Sequence, residues 1–169
     1  MNPIVRCCFI CLLGFSSVAY SLSSDNQQPA LMQADSGEHN FDKGIGHYRG
    51  HVIMDQGTTH VSGDRAIAYN DKNNKVTQIK VYGQPARYRT LTERDKPELV
   101  ATADLIIYYP QKRYAKLIGN AVVTQEGKTV RGPELLYWMQ SQLVVAPPNK
   151  QGSVSVVIPP DQKEQKHAS

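Results

Sequence analysis

Apolar and polar residues alternate through most of this chain with a period of two. Tyr48, Gly50, Val52 and Met54 interleave with His47, Arg49 and His51. Side chains of an extended strand point alternately to the two faces of a sheet, so the pattern predicts a half-buried strand. Gln56-Gly57 then supplies a turn, and residues 58–69 read as the returning strand. With that two-residue loop, Val52 falls opposite Val61, Gly50 opposite Gly63, and Arg49 opposite Asp64. An apolar pair then lies on one face and an ion pair on the other. Residues 70–74 form a polar turn cluster. Residues 76–82 make a further strand, which Gly83-Gln84-Pro85 breaks before residues 86–91. A charged loop, 92–97, leads into a second series of strands at 99–109, 114–124 and 128–138. Short strands at 142–146 and 154–158 each stop at a proline pair. No stretch carries a convincing helical stripe. The prediction is an all-β chain of ten or more antiparallel strands, folded as an open two-sheet β-sandwich or jelly-roll.

The two series are copies of one another at an offset of 69 residues. Ala34-Asp35 returns as Ala103-Asp104, Lys43 as Lys112, Gly50 as Gly119, Gln56 as Gln125, Val61 as Val130, Gly63 as Gly132 and Val76 as Val145. Replacements keep their character, as in Tyr48 to Leu117, Met54 to Val123 and Tyr69 to Trp138. Two copies of one supersecondary unit can stack and bury a shared apolar face. The glycines at 50, 63, 119 and 132 sit inside strands, where they weaken the ladder and mark bulges, sharp twists or close approaches.

The first residues read as an address. Arg6, an apolar run over 7–18 and the small residues Ala19 and Ser21 have the layout of a secretory signal peptide over residues 1–21. The run is too short for a bilayer span of about 20 apolar residues. All three cysteines, Cys7, Cys8 and Cys11, fall within it, so the exported chain is expected to use neither disulfides nor thiolate chemistry. Residues 22–160 then suit one domain, and 161–169 form a polar tail read as disordered. Loss of Arg6 takes the net charge from +4 to +3. That is too mild to argue for nucleic acid.

Candidate chemistry is sparse. His39, His47, His51 and His60 crowd the first copy. His47 and His51, four residues apart on one strand, are separated by about 13 Å and cannot share an ion. His51 and His60 are diagonal neighbours without an evident third ligand, so no metal site is read. No Gly-x-Ser-x-Gly elbow appears and no cysteine survives export, so no nucleophile is read and the chain is expected not to be an enzyme.

The runs Tyr48-Arg49-Gly50-His51-Val52-Ile53-Met54 and Val61-Ser62-Gly63-Asp64-Arg65-Ala66 resemble the OstA-like domain family. So do their echoes Leu117-Ile118-Gly119-Asn120-Ala121-Val122-Val123 and Val130-Arg131-Gly132-Pro133-Glu134, and the crossover Val81-Tyr82-Gly83-Gln84-Pro85-Ala86. The likeness runs from about Met32 to Ala146. Pro133 stands where the first copy has Asp64; without a ladder donor, it should mark an edge or a bulge.

The resemblance implies a jelly-roll, open along one side, that holds the acyl chains of lipopolysaccharide (lipid A) between its sheets in the periplasm. It implies a bridge between inner-membrane LptC-type and outer-membrane LptD-type OstA-like domains, built by head-to-tail self-association, with no cofactor. Equivalent same-face positions then nominate Tyr48, Val52, Met54, Val61, Leu117, Ala121, Val123 and Val130 as the lipid-lining residues. Lys80, Arg87 and Arg89, around the crossover, are candidate phosphate contacts at the trough mouth. Val154, Val156 and Ile158 would form the oligomer edge. Two other readings compete: an adaptor of the same fold with little lipid affinity, and a periplasmic enzyme.

Overall fold

A computed structural model describes residues 28–93, 96–148 and 152–159. The expected signal segment, its cysteines and the 161–169 tail lie outside these residues. Ten strands follow in order: β1 (Leu31–Gln33), β2 (Ser36–Asn40), β3 (Ile45–Gln56), β4 (Thr59–Asn70), β5 (Val76–Thr90), β6 (Leu99–Tyr109), β7 (Tyr114–Gln125), β8 (Lys128–Trp138), β9 (Leu143–Val145) and β10 (Ser155–Val157). All pair antiparallel in a single sheet ordered β1-β3-β4-β5-β6-β7-β8-β10, with β2 also on β3 and β9 also on β8. The described residues contain no helix. The expected all-β, open, antiparallel architecture is what forms, and its two layers belong to one continuous ladder.

The layers arise because every long strand bends at mid-length. Register shifts fall at Arg49/Val52, Ser62/Arg65, Tyr82/Ala86, Thr102/Leu105 and Ile118/Ala121, a line crossing the whole sheet. Residues 52–63, 86–102 and 121–132 form a lower layer with β1 and β10. Residues 36–49, 65–82, 105–118 and 134–145 form an upper one. Contacts between strands that are not neighbours show the layers facing each other. Tyr88 of β5 lies 6.2 Å from Tyr137 of β8, ring to ring, and Tyr108 Oη of β6 donates to Gln56 Oε1 of β3 at 3.0 Å. Pro133 sits within the bend, between Gly132, opposite Ala121, and Glu134, opposite Ile118, where no ladder donor is required.

The 69-residue repeat is visible in the backbone. Left-handed conformations recur at Gly44 and Arg113, Gly50 and Gly119, His51 and Asn120, and Gly57 and Glu126. At Gly50 (φ 74°) and Gly119 (φ 78°) the bulge needs a residue tolerant of positive φ. A carboxylate packs against each, and a Cβ would lie 2.2 Å from Asp35 Oδ2 in one copy and 2.3 Å from Asp104 Oδ2 in the other. The repeat therefore encodes a bend: glycine, a left-handed polar residue, and an aspartate from the preceding strand. Strands β1 and β2 together correspond to β6, but are separated at Ala34-Asp35, where β6 continues unbroken through Ala103-Asp104.

Two local expectations are corrected. The β3–β4 loop is Gly57-Thr58, so Val52 faces Gly63 and Met54 faces Val61. Gln56 belongs to the strand because its buried amide is occupied, donating to Gln28 O at 2.9 Å and accepting from Tyr108. The shift of two leaves the faces unchanged. The extra residue of the bulge brings Arg49 opposite Arg65 and not Asp64, and the Arg65 guanidinium lies over the Tyr82 ring at 4.2 Å. Gly83-Gln84-Pro85 does not end a strand; β5 continues through it, bent like its neighbours.

Candidate lipid trough and sheet edges

The inner face of the folded sheet carries all eight nominated lining residues. Val52, Met54, Val61 and Leu117 are completely buried, and Ala121 and Val123 nearly so. Tyr48 and Val130 are half-buried and pack against the same cluster. Their common placement follows from period two: in each copy the bend keeps 52 and 54, or 121 and 123, on the face that looks into the fold. Leu99, Ile106 and Leu135 complete the interior. Each such aliphatic side chain contributes about 1.5–3 kcal/mol through burial.

This interior is closed to solvent. The alternation pattern could not show that, because it is the same for a filled core and for an empty trough. Tyr88, Tyr108 and Tyr137, none of them nominated, do the closing. Tyr88 rests 6.3 Å from Tyr108 and 6.2 Å from Tyr137 between ring centroids. Burial raises the Tyr88 phenol far above its ordinary pKa, and burial pushes Tyr137 up to about 12. Both therefore stay neutral at physiological pH. An acyl chain enters only if the layers part. Their sequence signal is slight: Tyr88 follows Ala86 on one face, and Tyr137 follows Leu135.

Lys80, Arg87 and Arg89 stand on the outer face of the central strand β5, alternating with buried Ile79, Val81, Ala86 and Tyr88. Lys80 and Arg87 stand away from the interior, and Arg89 is near the lower end of the strand. Lys80 lies above the bend, with its ammonium 5.3 Å from the Tyr69 ring centroid. Arg87 and Arg89 lie below it, and Arg89 pairs with Glu98 at 3.5 Å. The histidines have separate partners. His51 Nδ1 meets Asp35 Oδ2 at 2.7 Å, His60 Nδ1 meets Asp55 Oδ1 at 2.5 Å, and His39 Nδ1 lies 3.3 Å from Tyr48 Oη. The hydrogen bond and charge of Asp35 raise the His51 pKa. Among the described residues no group of three or more potential ligands could hold a metal ion.

The two ends of the sheet are built alike. Each is bordered by two short strands, one per layer: β1 and β2 on β3, β10 and β9 on β8. Strand β10 pairs Ser155 with Arg131, Val156 with Val130 and Val157 with Thr129. Its free side is apolar and exposed, with Val156 at 58% and Ile158 at 69%, and Val154 exposed beside them. Leu31 of β1 is exposed at the opposite end. An uncovered apolar edge with unpaired backbone groups is a template for another strand.

Comparison with known proteins agrees with this architecture. A family model described as LptA/(LptD N-terminal domain) LPS transport protein matches residues 31–143. The chain is 37% identical over 131 residues to the lipopolysaccharide export system protein LptH of Pseudomonas aeruginosa, covering 78% of this chain and 75% of that protein. It is 26% identical over 157 residues to the lipopolysaccharide export system protein LptA of Escherichia coli K12, covering 92% and 84%. The crystal structure of the Pseudomonas aeruginosa LptH, described as the LptA homologous periplasmic component of the conserved lipopolysaccharide transport device, superposes with a TM-score of 0.76 at 33% identity. That match spans 81% of this chain and 99% of the other.

Proposed function

This chain belongs to the LptA/LptD N-terminal-domain family of lipopolysaccharide transport proteins, and from that membership we propose that it carries lipopolysaccharide through the periplasm by holding the acyl chains between its two layers. The observation that carries the reading is an apolar inner face running uninterrupted from one open edge of the sheet to the other. Acyl chains need such a surface, since each methylene removed from water gains about 0.8 kcal/mol. Head-to-tail addition of copies at the β1/β2 and β9/β10 edges would extend the face into a bridge. Such a contact is heterologous and does not close on itself. At its two ends the bridge would meet OstA-like domains of the inner-membrane and outer-membrane machinery. The role is binding and transfer, without a covalent step. Export by the N-terminal segment supplies the compartment.

A photo-crosslinker at Tyr48, Leu117 or Val130 should capture lipopolysaccharide, whereas one at His51 or Lys116 should not. Equal capture on both faces would sink the assignment. One observation favours a second reading, an adaptor with little lipid affinity: six of the eight lining residues are buried. Absence of capture at all three inner positions in an otherwise functional chain would decide for the adaptor.

A further inference from the structure

The hairpin turns of the upper layer form one continuous rim. Asn70 N donates to Gly44 O at 2.8 Å and Met139 N to Arg113 O at 3.0 Å. Gln111 Nε2 donates to Val76 O at 3.2 Å. These bonds join the turns at 41–44, 71–75, 110–113 and 139–142 side by side. Five cations stand along them: Lys43, Lys72, Lys75, Lys112 and Arg113. Among the described residues none of the five lies in an ion pair. Two acids share the rim, Asp42 and Asp71. Asp71 is committed to its own turn, accepting from Asn73 N at 2.8 Å and Lys75 N at 3.0 Å. At the β2 end the rim borders a hollow of about 450 Å³ lined by Glu38, His39, Asn40, Lys43, Ile45 and His47.

The lower rim is different. Lys96 there bonds Glu93 at 2.9 Å and lies 3.5 Å from Glu126, while Arg89 pairs with Glu98. Among the described residues these charges are paired, and Lys128 stands outside the pairs. The rims face each other across the opening between the layers, where Tyr108 bonds Gln56. A lipid with its chains between the layers leaves its headgroup at this mouth, between a rim with several ion pairs and one with five cations outside any.

We propose that the upper rim holds the phosphorylated saccharide headgroup of the lipid whose acyl chains lie between the layers, with Lys43, Lys72, Lys75, Lys112 and Arg113 supplying the positive charge. The proposal rests on the trough reading above and assigns the polar half of the same ligand. Ammonium and guanidinium groups form charge-assisted bonds with phosphate oxygens. In a stack of copies the rims would join, so a headgroup could pass from one cation set to the next while its chains stay covered.

The test compares bisphosphorylated lipid A with the same lipid stripped of both phosphates, binding to the full exported chain. Wild type should prefer the phosphorylated form by about tenfold at low salt. The preference should fade at about 0.5 M salt, where exposed charges are screened. The triple variant Lys43→Glu, Lys72→Glu, Lys112→Glu should lose the preference but bind the stripped lipid as wild type does. Lys128→Glu, on the lower rim, should change neither. A triple variant that keeps the preference overturns the proposal. So does one that loses only its binding to phosphatidylglycerol vesicles, which would make a bilayer surface the occupant. A wild type that binds neither lipid refutes the trough reading itself, and that result is separate because the rim is read from the difference between the two lipids.

Discussion

Gly50 and Asp35 show how little chemistry sets the bend of this fold. Gly50 has φ 74° and the Asp35 carboxylate lies where its Cβ would be. Gly50→Ala is expected to destabilise by about 1–3 kcal/mol, from left-handed strain and displacement of the aspartate. Gly132 has no positive φ, and a Cβ there would find its nearest neighbours at 3.5 Å. Gly132→Ala should fall within about 0.5 kcal/mol of wild type. Denaturant unfolding of the two variants checks the contrast, and equal losses would show that the bend does not depend on positive φ. The sequence marked both glycines through the repeat but could not rank them. Their difference comes from the carboxylate of another strand, which the alternation pattern does not reveal. Gln56 reads as a turn residue for a similar reason: its amide is held by Gln28 and Tyr108, both distant in sequence.

Among the elements, the edge pair β1/β2 differs most from its counterpart. Where β6 runs unbroken past Asp104, the chain at Asp35 leaves one strand and begins another. Asp35 N donates to Gly50 O at 2.9 Å, and the side chain holds His51. In the second copy the equivalent bond is Asn120 Nδ2 to Asp104 Oδ2 at 3.0 Å, with a neutral amide in place of the imidazole. His51 is raised by its bond to Asp35, then by the charges of Asp35 and Asp64. A raised histidine contributes stability that is fully present below its unfolded pKa and lost as pH rises through the folded one. Hydrogen exchange of β1 should therefore be slower at slightly acid pH than at alkaline pH after correction for intrinsic rates. Protection of β6 around Asp104 should not respond. His51→Asn should make the first copy behave like the second; a β1 response that survives this change would assign the effect to another group. The strands themselves were legible because period two holds within each half of a long strand, although in β4, β5 and β6 the bend switches its phase. The continuity of β5 was not, since Gly83 and Pro85 read as a stop when the bend that uses them is unknown.

For the molecule as a whole, the joint between the two copies is visible inside one chain. There β5 pairs with β6, with Tyr88 opposite Ala101. Val156 occupies the place of Tyr88, since Val130 and Val61 are equivalent partners, and Met32 occupies that of Ala101. If chains add head to tail by repeating their internal joint, Val156 of one copy lies opposite Met32 of the next. With the native cysteines removed, Val156→Cys mixed with Met32→Cys should give a disulfide-linked dimer under mild oxidation. A cysteine at Ala30 or Ala34 should give much less. Preferential linkage at either shifted position would discard the register. The apolar face behind this joint was legible in the sequence. Its closure was not, because burial between layers leaves no mark on alternation. The interrupted outer strands give the repeat a last consequence. A growing assembly would have a structural period of half a chain, so any domain with a whole number of such units, even one or three, could be spliced in without loss of phase.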